Sequence, residues 1–137
     1  MKDLRDLIRD LEAWTLDGSD FHKDRQLADE VLLADGWNVE HDVDGHRGVL
    51  WTWGTNPKIM MADDYRHHPI NDLNAAFGVI PYGFNFRIGF DGVTSKVVLW
   101  PRGDVTMGRS TEGESSRVQV AIIIASLKQK LNVGSVA

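Results

Sequence analysis

The chain has 137 residues, 42% of them hydrophobic and 26% charged; fifteen Lys and Arg against twenty Asp and Glu give a formal charge of −5. Ordinary apolar content with five Trp excludes disorder as the main state, and a chain of this length buries roughly two thirds of its unfolded surface, enough for one core. The absence of cysteine excludes a disulfide framework, a thiolate metal site and a thiol nucleophile.

No apolar run reaches the roughly 20 residues needed to span a bilayer; the longest lies around Val118–Ala125. The start, Met1-Lys2-Asp3-Leu4-Arg5-Asp6, is too acidic and too periodic for a secretory signal. These features predict a cytoplasmic protein with no membrane association, one domain over 1–131 and a frayed tail over 132–137.

Leu4, Leu7, Ile8, Leu11 and Trp14 recur at steps of three and four among charged residues, which predicts an amphipathic helix. A second helix fits Lys23–Asp35, with Leu27, Ala28, Val31, Leu32 and Ala34 inward and Gly36 as a left-handed stop. Trp37 follows the stop, placed to pack on the helix end. The period then changes to two: Val49, Trp51 and Trp53 fall on one side of a strand, which Gly54-Thr55-Asn56-Pro57 ends. A polar loop through Asp63-Asp64-Tyr65-Arg66-His67-His68-Pro69 leads to a short helix capped by Asn71, with Leu73, Ala76, Phe77 and Ile80 inward.

Phe84, Phe86, Ile88 and Phe90 alternate with Asn85, Arg87 and Gly89 before an Asp91-Gly92 turn, a hairpin pattern whose return strand is Lys96–Trp100. That return strand is apolar on both faces, which predicts a sheet covered on both sides. Arg102–Glu114, polar and containing Gly103, Gly108 and Gly113, reads as a long mobile loop. Ser115 or Ser116 caps a last helix to about Leu131, apolar almost all round and so the most buried. The expected architecture is α/β in the α+β sense: a three-layer α/β/α sandwich around a small, mainly antiparallel three-stranded sheet. Trp37, Trp51, Phe86, Ile88, Leu99, Ile123 and Leu127 are its expected core residues.

Several stretches together resemble the phage ABA-sandwich domain family. They are Asp6-Leu7-Ile8-Arg9-Asp10-Leu11-Glu12-Ala13, Asp24-Arg25-Gln26-Leu27-Ala28 with Gly36-Trp37, Trp51-Thr52-Trp53-Gly54, Asn71–Pro81 with Ala75-Ala76, and Phe84-Asn85-Phe86-Arg87-Ile88-Gly89. The resemblance spans Leu4 to Leu131 and implies an α/β/α layered domain encoded by a phage or prophage. It brings no catalytic or ligand residues.

The polar and aromatic residues raise four chemistries. His41-Asp42-Val43-Asp44-Gly45-His46 and Asp63-Asp64-Tyr65-Arg66-His67-His68 combine metal-ligand types, but neither holds paired i, i+4 histidines, and both fit solvated loops better. Hydrolysis lacks a strand–Gly-x-Ser-x-Gly–helix elbow, and Asp63-Asp64 reads as surface. For anion capture, residues 1–44 carry thirteen acids and five bases while 45–137 carry seven acids and ten bases. Arg102, Arg109 and Arg117 spread through a Gly-rich loop into a helix N-terminus, the ingredients of phosphate binding, although solvated loop remains the preferred reading there too. Base stacking on Trp51, Trp53, Phe84, Phe86, Phe90 and Trp100 needs an open basic sheet, so core packing is preferred and no nucleic acid is expected.

The resulting expectation is a non-enzymatic accessory protein without cofactor or metal, working through a protein partner or self-association, with Met60 and Met61 among the contact candidates. The alternative is a binder of a small phosphorylated ligand or nucleotide through Arg102, Arg109 and Arg117. A metal-dependent hydrolase ranks third.

Overall fold

A computed structural model describes residues 3–13, 21–41, 49–53, 60–61, 70, 73–103 and 108–136; at 21–22, 25, 37–41, 49–53, 60–61 and 133–136 it describes the backbone alone. The first helix begins where Asp3 caps it: Asp3 Oδ1 accepts the Arg5 N–H at 2.8 Å and the Asp3 carbonyl accepts the Leu7 N–H at 2.9 Å. This helix, α1 (Leu4–Ala13), buries Leu7, Ile8 and Leu11 and leaves Arg5, Arg9 and Glu12 exposed, as its stripe predicts. Helix α2 (Phe21–Ala34) buries Leu27, Ala28, Val31 and Leu32 and ends at Gly36, whose φ of 97° makes the left-handed stop. Lys130 completes that end by donating to the Ala34 carbonyl at 3.0 Å and to Asp35 Oδ1 at 2.9 Å.

Trp37 opens a strand. β1 (Trp37–His41) pairs antiparallel with β2 (Val49–Trp53), and β2 with β3 (Met60–Met61). A second antiparallel sheet follows the short helix α3 (Leu73–Phe77): β4 (Phe84–Phe90), β5 (Ser95–Pro101) and β6 (Thr111–Ser115), in that spatial order. Helix α4 (Val118–Val136) closes the described chain, running past its expected end near Leu131.

The α+β class holds: helices combine with small antiparallel sheets. The expected strands are present but divided, because Val49–Trp53 joins β1 and β3 rather than the hairpin. The mobile loop expected over Arg102–Glu114 is corrected as well, since its last part forms β6. In β6 the inward positions hold Thr111 and Gly113 while Glu112 and Glu114 point to water. A period of two is there, but its inward residues are too small and too polar to register as a hydrophobic pattern.

Helix α4 lies against β5 and β6, and α1 and α3 pack on α4 in turn. Val120 to Leu127 are buried without a break, so α4 is the core helix, as its all-round apolar sequence predicts. Gly113 lets it come close: a Cβ there would collide with the Ala121 carbonyl oxygen and approach the Ala125 nitrogen to 2.8 Å. Thr111 beside it donates from Oγ1 to the Ala125 carbonyl at 2.8 Å. The expected core residues Leu99, Ile123 and Leu127 are fully buried. Phe86 and Ile88 are not, which corrects that expectation. The side chains of Trp37 and Trp51, with Trp14, Asn71 and residues 42–48, 54–59 and 62–69, lie outside the described residues.

Candidate functional site

The hairpin is built at its turn. Asp91 Oδ1 accepts the N–H groups of Thr94 at 2.7 Å and Val93 at 2.9 Å, and Gly92 takes a φ of 98° between them. These two donors, Thr94 first and then Val93, hold the Asp91 carboxyl below its ordinary range. The Asp91 N–H donates to the Thr94 carbonyl at 3.2 Å, and at the other end the Arg102 N–H donates to the Gly83 carbonyl at 2.9 Å.

Those two bonds fix which backbone groups of β4 are in use. Hydrogen-bonded and non-hydrogen-bonded pairs alternate along an antiparallel ladder. With 91/94 and 83/102 bonded and the register unbroken between them, Asn85, Arg87 and Gly89 bond inward to β5. The N–H and C=O groups of Phe84, Phe86, Ile88 and Phe90 therefore point away from β5, along an edge that no strand occupies among the described residues.

Side chains of the same residues share the face on which α4 sits, because Phe86 is opposite Leu99 and Ile88 opposite Val97. Leu99 and Val97 lie under the helix, fully buried, whereas Phe86, Ile88 and Phe90 are 45%, 38% and 68% exposed. The helices overhang the sheet too little to cover its outer strand. Phe77 of α3 reaches Phe86, their ring centroids 5.3 Å apart, and Phe90 at the far end of the row is the most exposed of the three. Val93 at the hairpin tip and Tyr82 before β4 extend the exposed apolar surface. The opposite sheet face is polar: Asn85, Arg87, Lys96, Glu112 and Glu114 are exposed around buried Val98 and half-buried Trp100, with Lys96 Nζ 3.3 Å from Glu112 Oε2.

The other edge, β6, is finished differently. Its outward residues, Glu112 and Glu114, are charged, and Lys128 Nζ donates to the Glu112 carbonyl at 2.9 Å while lying 3.5 Å from Glu12 Oε2. Charge and a capping lysine are common devices that stop an edge from pairing. No charged residue or proline stands at an outward position of β4.

The three arginines expected to gather an anion are spread by the fold. Arg102 follows β5 and Arg109 precedes β6, at one end of the antiparallel pair; Arg117 follows β6 at the other end, and β6 itself spans about 13 Å. Arg117 is engaged, its Nη1 3.4 Å from Asp24 Oδ2, both groups largely shielded. The backbone carbonyl of Arg109 accepts from Gln129 Nε2 at 2.8 Å. Arg102 is exposed beside an open groove of about 340 Å³ lined by Phe77, Ile80, Tyr82, Phe84 and Phe86. Among the described residues no three His, Asp or Glu converge as metal ligands, and the two His/Asp-rich stretches fall largely outside those residues. No described helix is long and apolar enough to cross a membrane.

Periodicity alone missed Ile88 and Phe90 as surface residues, yet the signal was present. Of the two hairpin strands only Lys96–Trp100 is apolar on both faces, which suits a central strand, whereas Phe84–Phe90 has a single apolar row and suits an edge. The fold thus defines an α+β protein in which, among the described residues, no strand pairs with the outer edge of β4. Comparison with family models, with curated proteins and with solved structures gave no match.

Proposed function

We propose that this protein acts by contact rather than catalysis, with the open edge of β4 and its Phe86–Ile88–Phe90 row as the contact surface for another protein strand. One observation carries the reading: the β4 edge, which no strand among the described residues occupies, and the exposed apolar row belong to the same residues, so a docked strand gains backbone hydrogen bonds and apolar burial together. A nucleic-acid partner fits less well, because Arg87 and Lys96 on this sheet are offset by Asp91, Glu112 and Glu114. An accessory role in the cytoplasm of a phage-infected or lysogenic host completes the proposal, on the strength of the family resemblance alone.

The test is a photo-crosslinking amino acid placed at Phe90 or Val93, and at exposed Arg9 of α1 as the control. Protein adducts from Phe90 and Val93 and none from Arg9 are the expected result. Equal yields at all three positions, or adducts with nucleic acid, contradict it.

Arg102 favours a second reading. A guanidinium at the rim of an apolar groove, on the same end of the sheet as Arg109, suits a small phosphorylated ligand with an aromatic body. A thermal-shift panel of linear and cyclic nucleotides tests it: a shift abolished by Arg102→Ala supports this reading, and no shift removes it.

A further inference from the structure

The open edge of β4 is complementary to itself. Resting on the contact role given above, we propose that its partner is a second copy of this chain, paired antiparallel about a two-fold axis at Ile88. Such an axis, perpendicular to the sheet, keeps both copies of α4 on one side and makes one continuous sheet in the order β6-β5-β4-β4-β5-β6.

The register follows from the residues. Outward-facing backbone groups must meet outward-facing groups, so within the ladder a residue of the set Phe84, Phe86, Ile88 and Phe90 pairs only with a member of the same set in the other copy. An axis at Arg87 satisfies the backbone but sets Arg87 directly against its own copy in a close, non-hydrogen-bonded pair, where like charges repel. An axis at Phe86 leaves Phe90, the most exposed of the row, without a partner. An axis at Gly89 runs the second strand into the turn at Asp91–Thr94, where the chain leaves the ladder.

The axis at Ile88 sets no charge directly against its own copy, gives Phe90 a partner and keeps residues 86–90 of both copies in the ladder, leaving Phe84 opposite the turn at Gly92. Phe86 meets Phe90 of the second copy, Ile88 meets Ile88, and Phe90 meets Phe86, each pair exchanging both backbone bonds. On the helix-bearing face the two exposed rows merge and shield one another from water. On the polar face Arg87 lies opposite Gly89 of the second copy, which has no side chain to obstruct it, and diagonal to Asp91, whose charge is opposite. Each Arg87 is also diagonal to Arg87 of the second copy, so the register makes two unlike diagonal pairs against one like pair and sets no like charges directly opposite.

Sedimentation velocity across protein concentration, with single-cysteine variants of this cysteine-free chain, tests the proposal. Wild type is expected to move from monomer to dimer with rising concentration, and Ile88→Lys to remain monomeric while keeping the wild-type circular dichroism. Under mild oxidation Ile88→Cys should form a disulfide dimer at least about tenfold faster than Val93→Cys, since antiparallel partners lie within the reach of a disulfide and the two hairpin tips point apart. A mixture of Arg87→Cys and Gly89→Cys should give the mixed disulfide in preference to either homodimer; Gly89 has open space for the new side chain. Wild type monomeric at about 1 mM, equal oxidation rates for Ile88→Cys and Val93→Cys, or a predominant Arg87→Cys homodimer each overturn it. Photo-adducts from Phe90 to a different protein, with wild type monomeric throughout, overturn self-pairing alone and leave the contact role standing; no adducts from β4 overturn both.

Discussion

Gly113 on β6 and Ala121 on α4 touch backbone to backbone: a Cβ on Gly113 would overlap the Ala121 carbonyl oxygen. The position sits between sheet and core helix, and neither backbone can swing aside as a flexible side chain would. Gly113→Ala is therefore expected to cost about 3 kcal/mol or more, at the upper end for overpacking. Gly89→Ala, placed where nothing lies within 4 Å, should stay within about 0.5 kcal/mol of wild type. Urea unfolding of the two variants gives the comparison; equal stabilities would contradict the close approach.

Gln129 is buried on α4, and its Nε2 donates to the carbonyls of Leu99 at 3.2 Å and Arg109 at 2.8 Å. It ties the end of β5 to the segment entering β6. Gln129→Leu leaves both carbonyls without that donor and should lose about 2 kcal/mol. Gln129→Glu should lose more at neutral pH, since it sets a carboxylate against two carbonyl oxygens, and should recover part of the loss in acid, where the protonated carboxyl can donate. Denaturation of both variants at two pH values separates the cases.

The Arg117–Asp24 pair, 3.4 Å apart and largely shielded, joins the start of α4 to α2. A double-mutant cycle with Arg117→Ala and Asp24→Asn should return a coupling of about 1 kcal/mol. It also bears on anion binding. A guanidinium with its counter-charge in place should affect stability when removed, and leave any nucleotide-induced thermal shift unchanged.

Asp91 makes the hairpin turn sensitive to acid. Its folded carboxyl titrates below the unfolded value because the Thr94 and Val93 N–H groups favour the charged form. The stabilisation is therefore fully present above the unfolded carboxylate value and is lost as pH falls through the lower folded one. Amide chemical shifts of Thr94 and Val93 should titrate together at that lower pH, and Asp91→Ala should abolish the titration.

The elements whose residues announce their own burial were legible in the sequence. The stripe of Leu7, Ile8 and Leu11, the Gly36 stop, the Asp91-Gly92 turn and the uninterrupted apolar middle of α4 all appear where the pattern puts them. What stayed hidden depends on neighbours rather than on period. Phe86 and Ile88 face the side of the sheet the alternation implies, yet stand exposed because their strand lies beyond the reach of α4. β6 was invisible because close contact with α4 demands Thr111 and Gly113 where a pattern search looks for bulk. The spread of Arg102, Arg109 and Arg117 followed from that same missed strand, which turns a supposed loop into a rigid spacer.

Amide hydrogen exchange along β4 tests the contact surface most directly. In dilute protein the N–H groups of Phe86, Ile88 and Phe90 should exchange fast while those of Arg87 and Gly89 exchange slowly, and the fast set should become protected when a partner strand is present. Phe86, Ile88 and Phe90 as slow as Arg87 in dilute monomer would mean the chain already covers this edge itself, and would contradict the account.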